Sequence, residues 1–459
     1  MEALASSHAV SHTASPRSLP TTVARCLSPS HVASFNGSVS RSLANQSHNR
    51  PRAAPPQRVS LSSFPRCPRR PSAFPRRHAV RSLKDAAASS PSAIPAPSLP
   101  SLPSLPSTHP APPQVIPLKD IPAFVARSPL LQRAGLAQAD VQRDAAAWGA
   151  LGGELALQLG FVGGQGEGKA QLEEAQLRRI FQYYLPVFSW CWRQLLHHRR
   201  HAQGGKAAPT QAPPLVIGIS APQGCGKTTV VESLEHLFAV THCTAATVSI
   251  DDFYLTAQQQ AALREAHPAN RLLELRGNAG SHDLALGVST LSALKKASAP
   301  GTKVPLPRYD KSASSGRGDR SPEAAWAAVE GPVDVVLLEG WMLGFHALPA
   351  HEAAAIDPQL GEVNGRLQQY SAWHDMVDSW VIIQVADVDW VFDWRLQAEV
   401  AMRATGKPGM TDEQVHDFVT RYIPAYKAYL PALYASGPQG SRPDHTLRID
   451  IDQGRNPVG

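Results

Sequence analysis

GISAPQGCGKTTVVESLEHLF, residues 218–238, decides the fold. The stretch closes an apolar run, breaks into small residues around a lysine, and then resumes with apolar residues at helical spacing. Its turn, Ala221-Pro222-Gln223-Gly224-Cys225-Gly226-Lys227-Thr228-Thr229, has the phosphate-loop pattern with alanine in the place of the first glycine. A chain bending around a polyphosphate must offer it successive backbone N–H groups, and glycines reach the required conformations without a Cβ clash. A helix opening near Lys227 points its free N-terminal donors at the same anion. In that geometry Lys227 spans the β- and γ-phosphates and the Thr228 hydroxyl holds Mg²⁺, so residues 221–229 are the expected nucleotide site. Position 221 needs only a small side chain. Cys225 reads as a small filler rather than a redox-sensitive thiol.

Outward from this loop, short β-branched runs alternate with helical patterns. The runs are LVIGI (215–219), ATVSI (246–250), VDVVLLE (333–339), WVIIQV (380–385) and TLRIDI (446–451). The clearest helical rhythm is Leu360, Val363, Leu367, Tyr370, Trp373, Val377 and Trp380. Buried strands alternating with amphipathic helices predict an α/β domain over 215–459, with a mostly parallel sheet flanked by helices. Residues 115–203 read as a helical N-terminal region, with Leu177, Ile180, Tyr184 and Phe188 at steps of three and four, and residues 204–214 as a linker.

The 459 residues carry a net charge of +7. Residues 1–84 hold twelve Arg, Lys84 and a single acid, Glu2, so they contribute +12 and the remainder 7 − 12 = −5. The basicity is therefore local and gives no reason to expect a nucleic-acid partner. Acid-poor and rich in Ser, Arg and Pro, residues 1–84 are expected to be a disordered organelle transit peptide, and their proline content favours the chloroplast. The alternative is a basic tail that binds an anion. Residues 85–114, with an SLP repeat, form a proline-rich linker. Five cysteines without a CxxC pair support neither a disulfide framework nor a zinc site. No apolar run is long enough to cross a bilayer, so no membrane partner is expected.

The NKxD-type guanine reader that GTPases need is absent. Beyond the second strand lies SIDDFYL (249–255), beginning 22 residues after Lys227. A carboxylate at that sheet edge faces the phosphate site and is placed to take the proton of an attacking hydroxyl. One of Asp251 and Asp252 can cap the next helix, which leaves the other for chemistry. With the phosphate loop, DDFY, the turn Pro307-Arg308-Tyr309 and VVLLEG, the chain resembles the phosphoribulokinase/uridine kinase/pantothenate kinase family. LLELRGNAGSHDL (272–284), PRYDKSASSGRGDR (307–320), VVLLEGWMLGF (335–345), WRLQAEVAMR (394–403) and YIPAYKAYLPALY (422–434) are more closely similar to plant and algal D-glycerate 3-kinases. That resemblance implies ATP- and Mg²⁺-dependent phosphorylation of D-glycerate at its 3-hydroxyl, in photorespiration in the chloroplast stroma, by an enzyme expected to be a monomer.

The resemblance makes Asp251 the catalytic carboxylate, with Asp252 second, and places Glu339 near Mg²⁺. Glu339 could instead be a buried acid bonded to Trp341 or to backbone. A small anionic alcohol needs a cation for its carboxylate and polar groups for its 2-hydroxyl. Arg308, Tyr309 and Lys311 are candidates, as are Tyr254 on the DDFY strand end and His282 with Asp283 after a flexible GNAG. Tyr309 could equally be a core aromatic, and His282-Asp283 a helix cap. Arg395, Glu399 and Arg403 share a helix face, either as a salt-bridge ladder or as a lid offering Arg395, or Arg403 in its place, to the transferring phosphoryl. Two other readings stay open: a kinase of the same fold for a nucleoside, pantothenate or a sugar phosphate, and a non-catalytic nucleotide-sensing module.

Overall fold

Each β-branched run of the kinase region forms a strand of one sheet. Strands β1 (Leu215–Ser220), β2 (Ala245–Ser249), β3 (Val335–Gly340), β4 (Ser379–Val385) and β5 (Thr446–Ile451) run parallel in the order β5-β4-β1-β3-β2. A short strand that the sequence did not announce, β6 (Pro457–Val458), pairs antiparallel with β5 at the edge. Strand β1 is buried at every position because helices cover both faces of the sheet. The computed structural model describes residues 100–162, 172–202, 212–314, 316–406 and 410–459. The transit segment, linker residues 85–99 and residues 204–211 lie outside the described residues.

The principal helices are α1 (Ala145–Gln158), α2 (Leu185–Ala202), α3 (Lys227–Val240), α4 (Ala257–Ala266), α5 (Leu284–Lys295), α6 (Leu360–Leu367), α7 (Trp390–Ala404), α8 (Asp412–Thr420) and α9 (Ile423–Ser436). The rhythm from Leu360 to Trp380 is not one helix. After α6 it passes through a 3-10 turn, Gln368–Tyr370, and a single helical turn, Ser371–His374, and Trp380 already belongs to β4. Apolar spacing marked the buried side of this segment but could not register the breaks, because each piece buries its residues against the same core.

The N-terminal helices share that core. Phe188 of α2 meets Phe238 of α3 edge-on at 5.2 Å, and each such buried aromatic contributes roughly 1.5–3 kcal/mol by leaving water. Arg199 of α2 reaches Asp334 at 2.5 Å, just before β3, and the second oxygen of that carboxylate takes the Thr244 N–H at 2.8 Å. A π-helical turn, Arg179–Tyr184, buries Tyr183 on the side of Cys225. The helical region thus braces the phosphate loop from behind. Residues 100–114 form no helix or strand and turn once at Pro106–His109, with the Leu102 N–H on Asp144 at 3.0 Å and the Ser101 carbonyl taking Trp192 Nε1 at 3.2 Å.

Strand register then sets the site. Glu339 lies opposite Ile219 of β1 and Ser249 of β2, so the loop after β1, the end of β3 and the DDFY turn after β2 meet at one sheet edge. This is the reversal point of an open parallel sheet, where such sheets bind ligands.

Candidate active site

The phosphate loop follows β1 directly. Gly224 and Gly226 have φ of 81° and 91°, left-handed values that curl the loop and hand it to α3 at Lys227. A Cβ at Gly224 would lie 2.6 Å from the Cβ of Trp394, so position 224 is closed to side chains twice over. Ala221 is buried and tied to β3 through the Gly340 carbonyl at 3.2 Å, which leaves no need of a glycine there. The Gln223 N–H is held by the Tyr426 hydroxyl of α9 at 3.0 Å. Pro222 is buried beside Ala221, and Thr228 is exposed in the first turn of α3 with Thr229 half-buried. Cys225 is buried, and burial pushes its thiol up to about 11 despite Lys227, so it is an inert filler at neutral pH.

Lys227 forms an ion pair with Glu339 at the end of β3. Trp341 is not a partner of Glu339, since the indole Nε1 of Trp341 has no hydrogen-bond partner. Burial lowers Lys227 to about 8, with Asp251 acting against that shift.

The two aspartates part company. Burial raises the Asp251 carboxyl, but Lys311, with its Nζ 2.6 Å away, and Lys227 outweigh it and hold Asp251 well below the usual carboxylate range. The Tyr254 hydroxyl bonds the same group. Asp252 faces the other way, taking the Tyr309 N–H at 3.2 Å and Arg308 Nη1 at 3.2 Å, and burial raises it. Its work is to fix the turn that carries Arg308 and Tyr309. The Ser249 hydroxyl caps the DDFY turn by accepting the Asp251 N–H at 3.3 Å.

Tyr309 is nearly buried and meets Tyr254 edge-on at 5.2 Å, and Tyr254 stacks on His282 at 4.5 Å. The sequence candidates Tyr254, His282 and Tyr309 therefore form one aromatic wall beside Asp251. His282 is 5 % exposed, and burial lowers it to about 4, so it is neutral. Its Nδ1 lies 2.7 Å from the Tyr370 hydroxyl, which already accepts the Gly280 N–H at 3.0 Å. Where Tyr370 gives its single proton to Nδ1, the ring proton sits on Nε2, an atom with no protein partner. Asp283 is a helix cap: it takes the Leu286 N–H at 3.0 Å and pairs with Arg320 at 3.1 Å.

GNAG is not flexible as the sequence suggested. Asn278 and Ser281 are buried, the Gly277 N–H bonds Ser281 Oγ at 2.9 Å, and Asn278 Nδ2 bonds the carbonyls of Leu272 and Arg421 at 3.1 and 3.0 Å. Arg395 forms the i,i+4 pair of the ladder with Glu399, which is 2 % exposed and also takes the Met410 N–H at 2.9 Å. Arg403 turns instead to Asp412 at 2.8 Å on the surface, so the two arginines are not equivalent. Residues 407–409 of TGKPGM lie outside the described residues.

Sequence reasoning missed Arg276 and Tyr370. Arg276 bonds the carbonyls of Arg317, of Gly316 at 3.2 Å and of Lys311 at 3.4 Å, and lies over the Tyr309 ring at 5.5 Å. It gathers both ends of the loop that bears Lys311. Nothing local pointed to Tyr370, whose partner His282 is 88 positions away.

The donor set suits the expected groups. The curled loop and its lysine form a cradle for a polyphosphate, and Thr228, Asp251 and Glu339 offer hard oxygens of the kind Mg²⁺ takes. Among the described residues no three of His, Cys, Asp and Glu cluster closely enough to hold a metal alone.

A phosphate loop at the switch point of a parallel sheet, with a carboxylate on the neighbouring strand, defines a P-loop small-molecule kinase. Residues 216–354 match the phosphoribulokinase/uridine kinase family. The chain is 50% identical over 344 residues, 74% of its own length and 73% of the relative's, to the chloroplastic D-glycerate 3-kinase of Arabidopsis thaliana. It is 36% identical to the uncharacterized kinase mug58 of Schizosaccharomyces pombe, over 53% of this chain and 90% of that one. Among solved structures, the D-glycerate 3-kinase of Cryptococcus neoformans var. grubii superposes with a TM-score of 0.52 at 34% identity, covering 60% of this chain and 98% of that one. The chain belongs to the D-glycerate 3-kinase family of P-loop kinases.

Proposed function

We propose that this enzyme transfers the γ-phosphoryl of ATP to the 3-hydroxyl of D-glycerate, giving 3-phosphoglycerate and ADP. The observation that carries the reading is the contact of Lys311 with Asp251 beside the phosphate loop: an ammonium and a carboxylate side by side fit a small molecule that is both an anion and an alcohol. The 50% identity to a D-glycerate 3-kinase supports the same acceptor.

In this reading the backbone of residues 221–229 and Lys227 hold the phosphates. Thr228 and Glu339, together with the phosphates, would hold Mg²⁺, which would supply charge neutralisation at the transferring group. Asp251 orients the 3-hydroxyl and receives its proton late, as suits a transfer in which positioning dominates. Lys311 leaves Asp251 for the substrate carboxylate. The Nε2 proton of neutral His282, from the wall it shares with Tyr254 and Tyr309, is free for the 2-hydroxyl. Arg308 and Asp283 act from behind, through Asp252 and Arg320. Arg395, held by Glu399, stands ready to move toward the phosphoryl group.

The acid-poor N-terminus acts as a transit peptide to the chloroplast stroma, where the enzyme works as a monomer in photorespiration, and residues 215–459 are the kinase domain proper. No helix among the described residues is long and apolar enough to cross a membrane. The test is ATP consumption with D-glycerate, L-glycerate, uridine, pantothenate and ribulose 5-phosphate offered separately. Turnover restricted to D-glycerate is expected. Turnover with another acceptor would move the enzyme within the family, and acceptor-independent hydrolysis would leave a nucleotide switch.

A further inference from the structure

Beyond β5 the chain makes a tight turn, Asp452–Asn456, before entering β6. The Asp452 N–H bonds the Asn456 carbonyl at 2.9 Å, the Arg455 N–H bonds the Asp452 carbonyl at 2.9 Å, and the Asn456 N–H bonds Asp452 Oδ1 at 2.8 Å. Arg455 sits at φ 65°, a left-handed conformation uncommon for a residue with a side chain. Such a conformation is retained where the surroundings hold it, and it often marks function.

Here the surroundings are the phosphate loop and the helix beside it. Arg455 Nε donates to the Gly224 carbonyl at 2.7 Å, Nη2 donates to Gln397 of α7 at 3.2 Å, and the guanidinium lies 5.1 Å over the Trp394 ring. The turn is fastened on two further sides: Trp394 Nε1 donates to the Gln453 carbonyl at 2.8 Å, and Arg179 Nη2 to the Gly454 carbonyl at 3.3 Å. Trp394 is the same residue whose Cβ closes position 224 to side chains. The C-terminal turn, itself fastened to α7 and to the N-terminal helical region, therefore grips one peptide unit of the loop.

That unit is the one whose N–H belongs to Cys225. In a planar trans peptide the carbonyl and the N–H point opposite ways. Holding the Gly224 carbonyl outward turns the Cys225 N–H inward, where its protein partner is a distant Pro222 carbonyl at 3.5 Å. An inward donor so weakly engaged is free for a phosphate oxygen. The charge of Arg455, bonded to neutral groups, adds to the positive potential at the loop.

We propose that the C-terminal turn, through Arg455, is a positioning element of the phosphate loop that sets the enzyme's affinity for its nucleotide while leaving acceptor binding untouched. This rests on nucleotide binding by residues 221–229 and not on which alcohol is phosphorylated.

The test measures binding of a non-hydrolysable ATP analogue with Mg²⁺ to the full chain by calorimetry, with no acceptor present. Arg455→Ala is expected to weaken the analogue about ten-fold, the loss that goes with one charge-assisted hydrogen bond at a partly exposed site. Added guanidinium ion should restore part of it, and Arg455→Lys, which keeps a donor but not the planar grip on Trp394, should fall between. Arg133→Ala, which removes a surface ion pair to Asp450 on β5 (2.6 Å), serves as the control and should bind as wild type. In steady state, the KM for ATP should rise while that for the acceptor stays within about two-fold. Analogue binding within two-fold of wild type in folded Arg455→Ala would overturn the proposal, as would equal rises in both KM values or failure of guanidinium to rescue. Should Arg455→Ala not fold, the same criteria apply to Arg455→Lys, for which wild-type binding would be the overturning result. Loss of the acceptor assignment alone would leave these binding results standing.

Discussion

Removing the Lys311 side chain isolates the substrate-reading half of the site. In the free enzyme its Nζ lies 2.6 Å from Asp251, and its side chain is 47% exposed. A charge-assisted hydrogen bond contributes about 1.5–3 kcal/mol. Because water reaches half of this side chain and screens the charge, the lower end applies, about ten-fold in the KM for D-glycerate. Glycerol offers the same primary hydroxyl without a carboxylate, so Lys311→Ala should cost it little. Glycerol should even gain slightly, since Asp251 loses the neighbour that depresses its basicity. The assay is ADP release at saturating ATP, with KM and kcat determined for D-glycerate and glycerol in both enzymes. A fall in the preference for D-glycerate over glycerol of about ten-fold is expected. An unchanged KM for D-glycerate, or an equal loss with both alcohols, would refute the assignment of Lys311 to the carboxylate.

Two further outcomes follow from the geometry. Tyr370→Phe strands the half-buried Gly280 N–H and the ring of His282; at about 1–3 kcal/mol for each orphaned group, urea unfolding should show a loss of about 2–6 kcal/mol together with a raised KM for D-glycerate. A loss under about 0.5 kcal/mol with wild-type KM would contradict that role. In the free enzyme burial pulls Lys227 down toward about 8, against its ion pair with Glu339, which favours the charged form, while Asp251 stays ionised through the neutral range. The rate constant kcat/KM for ATP should therefore fall as pH rises through about 8, with no acid limb from Asp251, and kcat should fall less because bound phosphates favour the charged lysine. A kcat/KM that is flat to high pH would count against it.

What the sequence showed and what it concealed divide along physical lines. The parallel strands were legible because each is a β-branched run, and the three central ones are buried on both faces, a pattern set by local composition. The phosphate loop was legible because its glycines, lysine and threonine lie within nine residues. The choice between Asp251 and Asp252 was not, since both occupy the same turn; their partners, Lys311 and the Arg308-Tyr309 turn, come from more than fifty residues downstream. GNAG looked mobile because glycine permits mobility, yet Tyr370 and Asn278 tie it down through contacts distant in sequence. Arg276 and Arg455 act on backbone carbonyls, which no residue pattern advertises.

The central claim is that Asp251 serves the transfer of a phosphoryl group from ATP to the 3-hydroxyl of D-glycerate. Phosphorus NMR of a reaction containing the enzyme, Mg²⁺, ATP and D-glycerate tests it directly, run beside Asp251→Asn with analogue binding measured in parallel. The account predicts a single 3-phosphate product from the wild type, and from Asp251→Asn almost no product despite analogue binding that is retained. A 2-phosphate product, or full turnover by Asp251→Asn, would contradict it.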